Sequence, residues 1–292
     1  MEVPSLTLND GNKIPLLSFG TGTAWYKDGG KGPLDNDLIQ RLKSAIGLGF
    51  RHIDGADAYG TEEEVGIAVK ESGLSRELLF VTTKVQDNVF DIPNAIDASL
   101  KKLQLDYVDL YMIHNPFFAK NDADLQKTWK DMEDVKKSGK AKSIGVSNYL
   151  QPHLEAVLKT ASVTPAINQI EYQPYLQRAN DFVPWMRERR VEIEAFKPLA
   201  PILSGKGGPL DGPLVKMAEA HGVTANAVLL RWQIQQNVVA ITTTKSDERM
   251  HEYLKALSFQ LSAEEMEEIT QIGASHHWRA GYRKRFDPDD RT

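Results

Sequence analysis

Short apolar runs recur along the chain near Leu17, Phe50, Phe80, Val108, Ile144, Ile167, Ile193 and Val239. Between them the apolar positions change to helical spacing. Leu38, Leu42, Ala45 and Ile46 follow Asp35, a good helix cap, and further helical patterns cover residues 62–71, 92–103 and 125–137. Strands that alternate with amphipathic helices mark parallel β-α units, and eight such strands close into a barrel. The expected fold class is therefore α/β, a (β/α)8 TIM barrel forming one domain over residues 1–292. Before the first barrel strand, residues 5–8 and 13–15 flank Asn9-Asp10-Gly11-Asn12, a turn signal that predicts an N-terminal β-hairpin. A doubly wound open sheet is the alternative. It calls for Gly-x-Gly-x-x-Gly after an early strand, and Gly20-Thr21-Gly22 lacks the third glycine. Residues 202–213 are rich in glycine and proline and read as a long functional loop, a cofactor lid.

The strand ends carry the candidate chemistry. Residues 50–54 run as an apolar strand into Asp54, and Tyr59 follows in a glycine-flanked loop. Residues 79–84 finish on Lys84, and residues 108–114 finish on His114. Taken singly, Asp54 reads more simply as a helix cap, Lys84 as a solvated strand end and His114 as a satisfied core histidine. Taken together they differ, because successive strand ends of a barrel lie side by side around one mouth.

On the segment Gly49 to Gly60, Val81 to Lys84, Ile113-His114, Ser143-Ile144-Gly145-Val146-Ser147-Asn148 and Asn168-Gln169-Ile170-Glu171-Tyr172, the chain resembles the aldo-keto reductase superfamily over nearly its whole length. His114-Asn115-Pro116 and Thr242-Thr243-Thr244-Lys245 make it most similar to the fungal conjugated polyketone and ketopantoyl lactone reductases. The resemblance implies a hairpin that closes the bottom of the barrel, catalysis by Asp54, Tyr59, Lys84 and His114, and NADPH as cofactor, since no side chain can supply hydride. It places Gly22, Thr23, Asp54, Ser147, Asn148 and Gln169 at the cofactor, with Phe196, Lys197 and Leu199 after the seventh strand and the Phe196 ring stacked on the nicotinamide. Aligning Arg249 with the family's arginine sets Thr243, Thr244 and Lys245 beside the 2′-phosphate, at a helix start whose free amides suit an anion. Trp25, Tyr59, His114 and Asn115 would face the substrate.

Tyrosine titrates near pH 10, and a neighbouring Lys84 ammonium is expected to favour its phenolate, with Asp54 keeping the buried lysine charged. Asn115 stands where many relatives carry tryptophan, and the connection after Pro116 is short. These features imply a wide site for small activated ketones, α-diketones or keto-lactones, with an Asn115 amide able to donate to a second substrate oxygen. A sugar-aldehyde reductase, a non-catalytic NADPH-binding regulatory subunit and a phosphate-ester isomerase are the alternatives.

A chain of 292 residues with 41% hydrophobic content can bury a large core. Its net charge of -5 argues against nucleic acid as a partner. No cysteine is present, so thiolate zinc sites and disulfides are excluded. His276 and His277 are adjacent and point apart, so no metal is expected, and residues 276–279 read as a substrate-side tail. The sequence has neither a basic, then apolar leader nor an uninterrupted apolar run long enough to span a bilayer. A cytoplasmic monomer or weak dimer acting on a small-molecule carbonyl, with no membrane partner, is the expectation.

Overall fold

The computed structural model describes residues 3–292. The chain opens with a hairpin of β1 (Ser5–Thr7) and β2 (Lys13–Pro15), paired antiparallel with Ser5 opposite Pro15. Gly11 turns it at φ 86°, a left-handed conformation that glycine tolerates without cost to a side chain. The hairpin lies across the N-terminal ends of the barrel strands. Its Asn9 Nδ2 donates to the carbonyls of Pro165 and Arg190 at 3.1 and 3.0 Å, and its Asn12 Nδ2 donates to Ser143 Oγ at 3.0 Å.

Eight parallel strands then close into the barrel: β3 (Leu17–Gly20), β4 (His52–Asp54), β5 (Phe80–Val85), β6 (Val108–Ile113), β7 (Ala141–Ser147), β8 (Ile167–Glu171), β9 (Glu192–Phe196) and β10 (Val239–Thr242). They pair in chain order, and β10 closes the ring on β3 with Thr242 beside Phe19. The helices between and after them are α1 (Asn36–Leu48), α2 (Glu62–Glu71), α3 (Ile92–Leu103), α4 (Asp122–Lys137), α5 (Gln151–Leu158), α6 (Phe182–Glu188), α7 (Asp211–His221), α8 (Ala225–Ile234), α9 (Asp247–Leu254) and α10 (Ala263–Ser275). Both faces of β5 and β6 are buried, between the helices outside and the barrel interior.

Local hydrogen bonding moves several expected boundaries. The strand expected over residues 50–54 starts only at His52, because Gly49 and Phe50 finish α1 instead. Gly49 takes φ 116°, and the Phe50 amide donates back to Ala45 at 3.0 Å. The strand expected over residues 79–84 is displaced by one, since the Leu79 amide closes a short turn on Arg76. α4 starts earlier than its apolar pattern, capped by Asn121, whose side chain accepts from the Asp124 amide at 3.2 Å.

The turn that carries Tyr59 is fixed by a glycine contact. Gly30, in the connection from β3 to α1, and Gly60 have φ of 66° and 69°, and a Cβ on Gly60 would lie 2.5 Å from the Gly30 carbonyl oxygen. No other residue type fits Gly60 without moving backbone.

Candidate active site

The C-terminal ends of β4, β5 and β6 bring four ionisable side chains together. Asp54 ends β4, Lys84 stands next to last in β5 and His114 follows β6, while Tyr59 reaches in from the turn after β4. Lys84 is fully buried, and its Nζ donates to Asp54 Oδ1 at 2.7 Å and to the Gly55 carbonyl at 2.8 Å. Its third direction is toward Tyr59 Oη at 3.5 Å. The phenol oxygen is also 3.5 Å from His114 Nε2, with the two rings packed edge to face. A substrate oxygen above Tyr59 and His114 would meet a hydroxyl and an imidazole nitrogen at once.

The electrostatics depart from one expectation. Burial alone would depress the Lys84 ammonium, but attraction to Asp54 and Tyr59 outweighs it and holds its pKa above the ordinary value. Tyr59 does not follow into the phenolate range. Its own burial exceeds the pull of Lys84, Asp54 pushes the same way as burial, and the phenol is raised to about 12. Tyr59 is thus a protonated phenol throughout the neutral range rather than a lysine-stabilised phenolate. His114 is lowered to about 3, first by burial and then by Lys84, so its imidazole is neutral.

Above this floor opens a cavity of about 420 Å³, within the usual size of small-molecule sites. Twelve expected residues border it: Gly22, Thr23, Asp54, Tyr59, His114, Ser147, Asn148, Gln169, Phe196, Lys197, Leu199 and Thr243. Lys84 lies beneath them. Gly22 leaves room for the phenol ring, since a Cβ there would be 3.0 Å from Tyr59 Cζ. Asn148 and Lys197, just past their strands, have φ of 60° and 58°. Lys197 Nζ crosses the mouth to donate to Thr23 Oγ1 at 3.2 Å.

Besides Lys84, five expected residues do not border this cavity. Trp25 is buried beneath Lys245, whose Nζ sits 4.6 Å from the indole ring, so it packs as a cation–π platform rather than as a substrate wall. Thr244 Oγ1 accepts from the Ser246 amide at 3.1 Å, and Arg249 is exposed on the first turn of α9. Asn115 borders a neighbouring recess of about 330 Å³ with Val85, Gln86, Phe117, Phe118 and Tyr282. Its Nδ2 donates to Gln86 Oε1 at 3.2 Å and its Oδ1 accepts from the Phe117 amide at 3.0 Å. One amide hydrogen is thus taken by Gln86, and the side chain faces this recess rather than the cavity in which it was expected to meet a second substrate oxygen.

Other cavity residues were not named individually from the sequence. Gly281 and Tyr282 arrive from the C-terminal segment, and Leu203 and Ser204 from the loop expected to be a lid. The buried Glu171, at the end of β8, holds the C-terminal segment in place. Its two carboxylate oxygens accept from the Ala280 and Gly281 amides at 2.7 and 2.6 Å. Tyr282 Oη accepts from Asn148 Nδ2 at 3.3 Å. Trp278 Nε1 donates to Ser204 Oγ at 3.0 Å, so the tail and the 202–213 loop meet over the mouth. Among the described residues no cluster of three or more His, Asp or Glu side chains could hold a metal, and no helix is long and apolar enough to cross a membrane.

Fold and site together define a barrel enzyme whose ionisable cluster stands at the C-terminal strand ends. The chain belongs to the aldo/keto reductase family, whose profile matches residues 18–274. It is 39% identical over 271 residues to the NAD/NADP-dependent indole-3-acetaldehyde reductase of Schizosaccharomyces pombe, covering 92% of this chain and 95% of that protein. It is 37% identical over 296 residues to the NADPH-dependent alpha-keto amide reductase of Saccharomyces cerevisiae, covering 95% of each. A solved Bombyx mori aldo-keto reductase in complex with NADP superposes with a TM-score of 0.82 at 32% identity, over 93% of each chain.

Proposed function

We propose that the protein is an NADPH-dependent carbonyl reductase acting on small activated ketones and aldehydes. The carrying observation is the pairing of a protonated Tyr59 with a neutral His114 at the cavity floor, 3.5 Å apart. Tyr59 delivers its proton to the carbonyl oxygen as negative charge develops there. Even at a raised pKa, a phenol is a much stronger acid than the alcohol formed. His114 donates from Nε2 to the same oxygen and fixes its direction. The hydrogen on that nitrogen is assigned by role, since the imidazole has two tautomers. Lys84 holds the phenol by its third N–H, and Asp54 keeps Lys84 charged.

The cavity wall suits a nicotinamide dinucleotide. Gln169 Oε1 has no partner among the described residues, Ser147 and Asn148 add polar atoms beside it, and Phe196 presents an aromatic ring. Thr243 Oγ1 is buried without a partner at the far side. When bound, the cofactor supplies the hydride that the side chains lack. Lys245, Arg249 and the first amides of α9 form the basic end that would take a 2′-phosphate.

Activated carbonyls are favoured because an adjacent carbonyl lowers the barrier to hydride attack, so the site has less positioning to supply. The relatives named for an alpha-keto amide and, in Bacillus subtilis, for glyoxal support that preference. The test is kcat/KM for an α-diketone and a keto-lactone against xylose and glyceraldehyde, with Tyr59→Phe in parallel. The diketones should lead, and Tyr59→Phe should keep NADPH affinity while losing at least roughly 100-fold in turnover. Xylose leading would overturn the substrate class, and a near-normal Tyr59→Phe enzyme would overturn the acid assignment.

A further inference from the structure

Below the cavity floor the barrel interior carries a second carboxyl group that the proposed chemistry does not use. Glu194, in the middle of β9, is fully buried. Its Oε2 accepts from Gln169 Nε2 at 2.9 Å, and the same nitrogen donates to Asp54 Oδ1 at 2.9 Å. Glu194 Oε1 has no hydrogen bond; its nearest cationic-capable neighbour is His52 Nε2 at 3.6 Å, which is itself 2.9 Å from Thr82 Oγ1. Asp54 and His52 from β4, Lys84 from β5 and Gln169 from β8 thus surround this carboxyl group.

A primary amide nitrogen has two hydrogens. With one committed to Asp54 and the other to Glu194, Gln169 has no donor left for the cavity, and its carbonyl oxygen is the atom that remains unpartnered there. Asp54 alone would leave the second hydrogen free and the amide free to turn about its terminal torsion, which is broad and roughly two-fold. Two acceptors on the one nitrogen remove that freedom.

We propose that Glu194 is a positioning residue that locks the Gln169 amide with its oxygen toward the cavity, so that the site accepts a ligand amide N–H there and discriminates against a ligand without one. The inference rests on the assignment of Gln169 to the cofactor carboxamide. Glu194 touches neither substrate nor cofactor and acts only through Gln169.

The test compares equilibrium binding, by quenching of tryptophan fluorescence, of NADP+ and of its 3-acetylpyridine analogue, in which a methyl replaces the amide nitrogen. The unmodified protein should prefer NADP+ by about tenfold, the worth of one hydrogen bond. Glu194→Gln keeps an acceptor oxygen of the same reach and should retain that preference. Glu194→Leu should reduce it to within about twofold; Glu194→Thr, also too short to reach Gln169, takes its place if the leucine variant does not fold. No preference in the unmodified protein would overturn the carboxamide assignment of Gln169 itself. A preference that persists in the leucine or threonine variant would leave that assignment standing and overturn the role of Glu194.

Discussion

Removing Lys84 should separate stability from catalysis. The Lys84→Met side chain has similar length and no charge, and it leaves Asp54, only 4% exposed at its side chain, with Gln169 Nε2 as its remaining close donor. Breaking a buried pair by removing one partner costs about 3–5 kcal/mol, because the other charge stays out of water uncompensated. Asp54→Asn should cost a similar amount for the mirror reason, since it strands a fully buried ammonium. In the double variant neither charge remains, so its loss should fall short of the summed single losses by about 1–3 kcal/mol, the coupling usual for contacting groups. Turnover should not recover with stability, because the double variant still lacks the ammonium that holds Tyr59. Urea unfolding followed by the fluorescence of the five tryptophans, alongside turnover on a diketone, makes the comparison. Single losses under about 1 kcal/mol, the range of an exposed pair, or additivity within about 0.5 kcal/mol, would refute the buried-pair reading.

Asp57, on the turn before Tyr59, is raised to about 6, chiefly by burial, against the stabilising amide of Gln86 and with Glu62 and Asp87 adding repulsion. Its folded pKa exceeds its unfolded one, so its contribution to stability is intact below about pH 4 and lost as pH rises to about 6. At roughly 1.4 kcal/mol for each pH unit between the two values, the ceiling is about 3 kcal/mol. Asp57→Asn should flatten this part of the stability profile, and an unchanged slope between pH 4 and 6 would count against it. Arg249→Ala should weaken NADPH by about 10-fold to 150-fold while leaving NADH nearly unchanged, the worth of a charge-assisted hydrogen bond; equal losses for both would remove it from the phosphate. Glu171→Gln replaces one acceptor of the Ala280 and Gly281 amides with a donor, so amide exchange over residues 276–292 should accelerate while the barrel strands keep their protection. Uniform exchange would show that the tail is held elsewhere.

Much of the fold was legible because each β-α unit carries its own periodicity, and the three ionisable strand ends were visible as interruptions of apolar runs. What escaped depended on contacts between distant segments. Phe50 looks like strand from its neighbours, yet its amide is taken by the helix before it. The Tyr59 phenol could be placed next to Lys84, but the depth of its burial, which decides its pKa, follows from packing across the whole mouth. Trp25 and Lys245 lie far apart in sequence, and only closure of β10 against β3 stacks them. Tyr282 follows the last helix in a segment without periodicity, tied down by Glu171. Glu194 did leave a trace: in Glu192-Ile193-Glu194-Ala195-Phe196 the alternate residues share a face. A Phe196 facing the cavity therefore implies a carboxyl group one layer below it.

The backbone contact between Gly30 and Gly60 divides the rim into parts that can and cannot be varied. Loops at a barrel mouth are ordinarily the freest material for altering specificity. Here the turn bearing Tyr59 is joined to its neighbour without an intervening side chain, so an insertion in either connection is transmitted to the phenol oxygen. Gln86 is tied to the same turn, its amide donating to Asp57 Oδ1 and Oδ2 at 3.1 and 3.0 Å, whereas residues 87–90, 115–118 and 282–286 make no hydrogen bond to it. A library meant to change which carbonyl is accepted should randomise these latter segments and leave residues 28–30 and 57–60 as they stand.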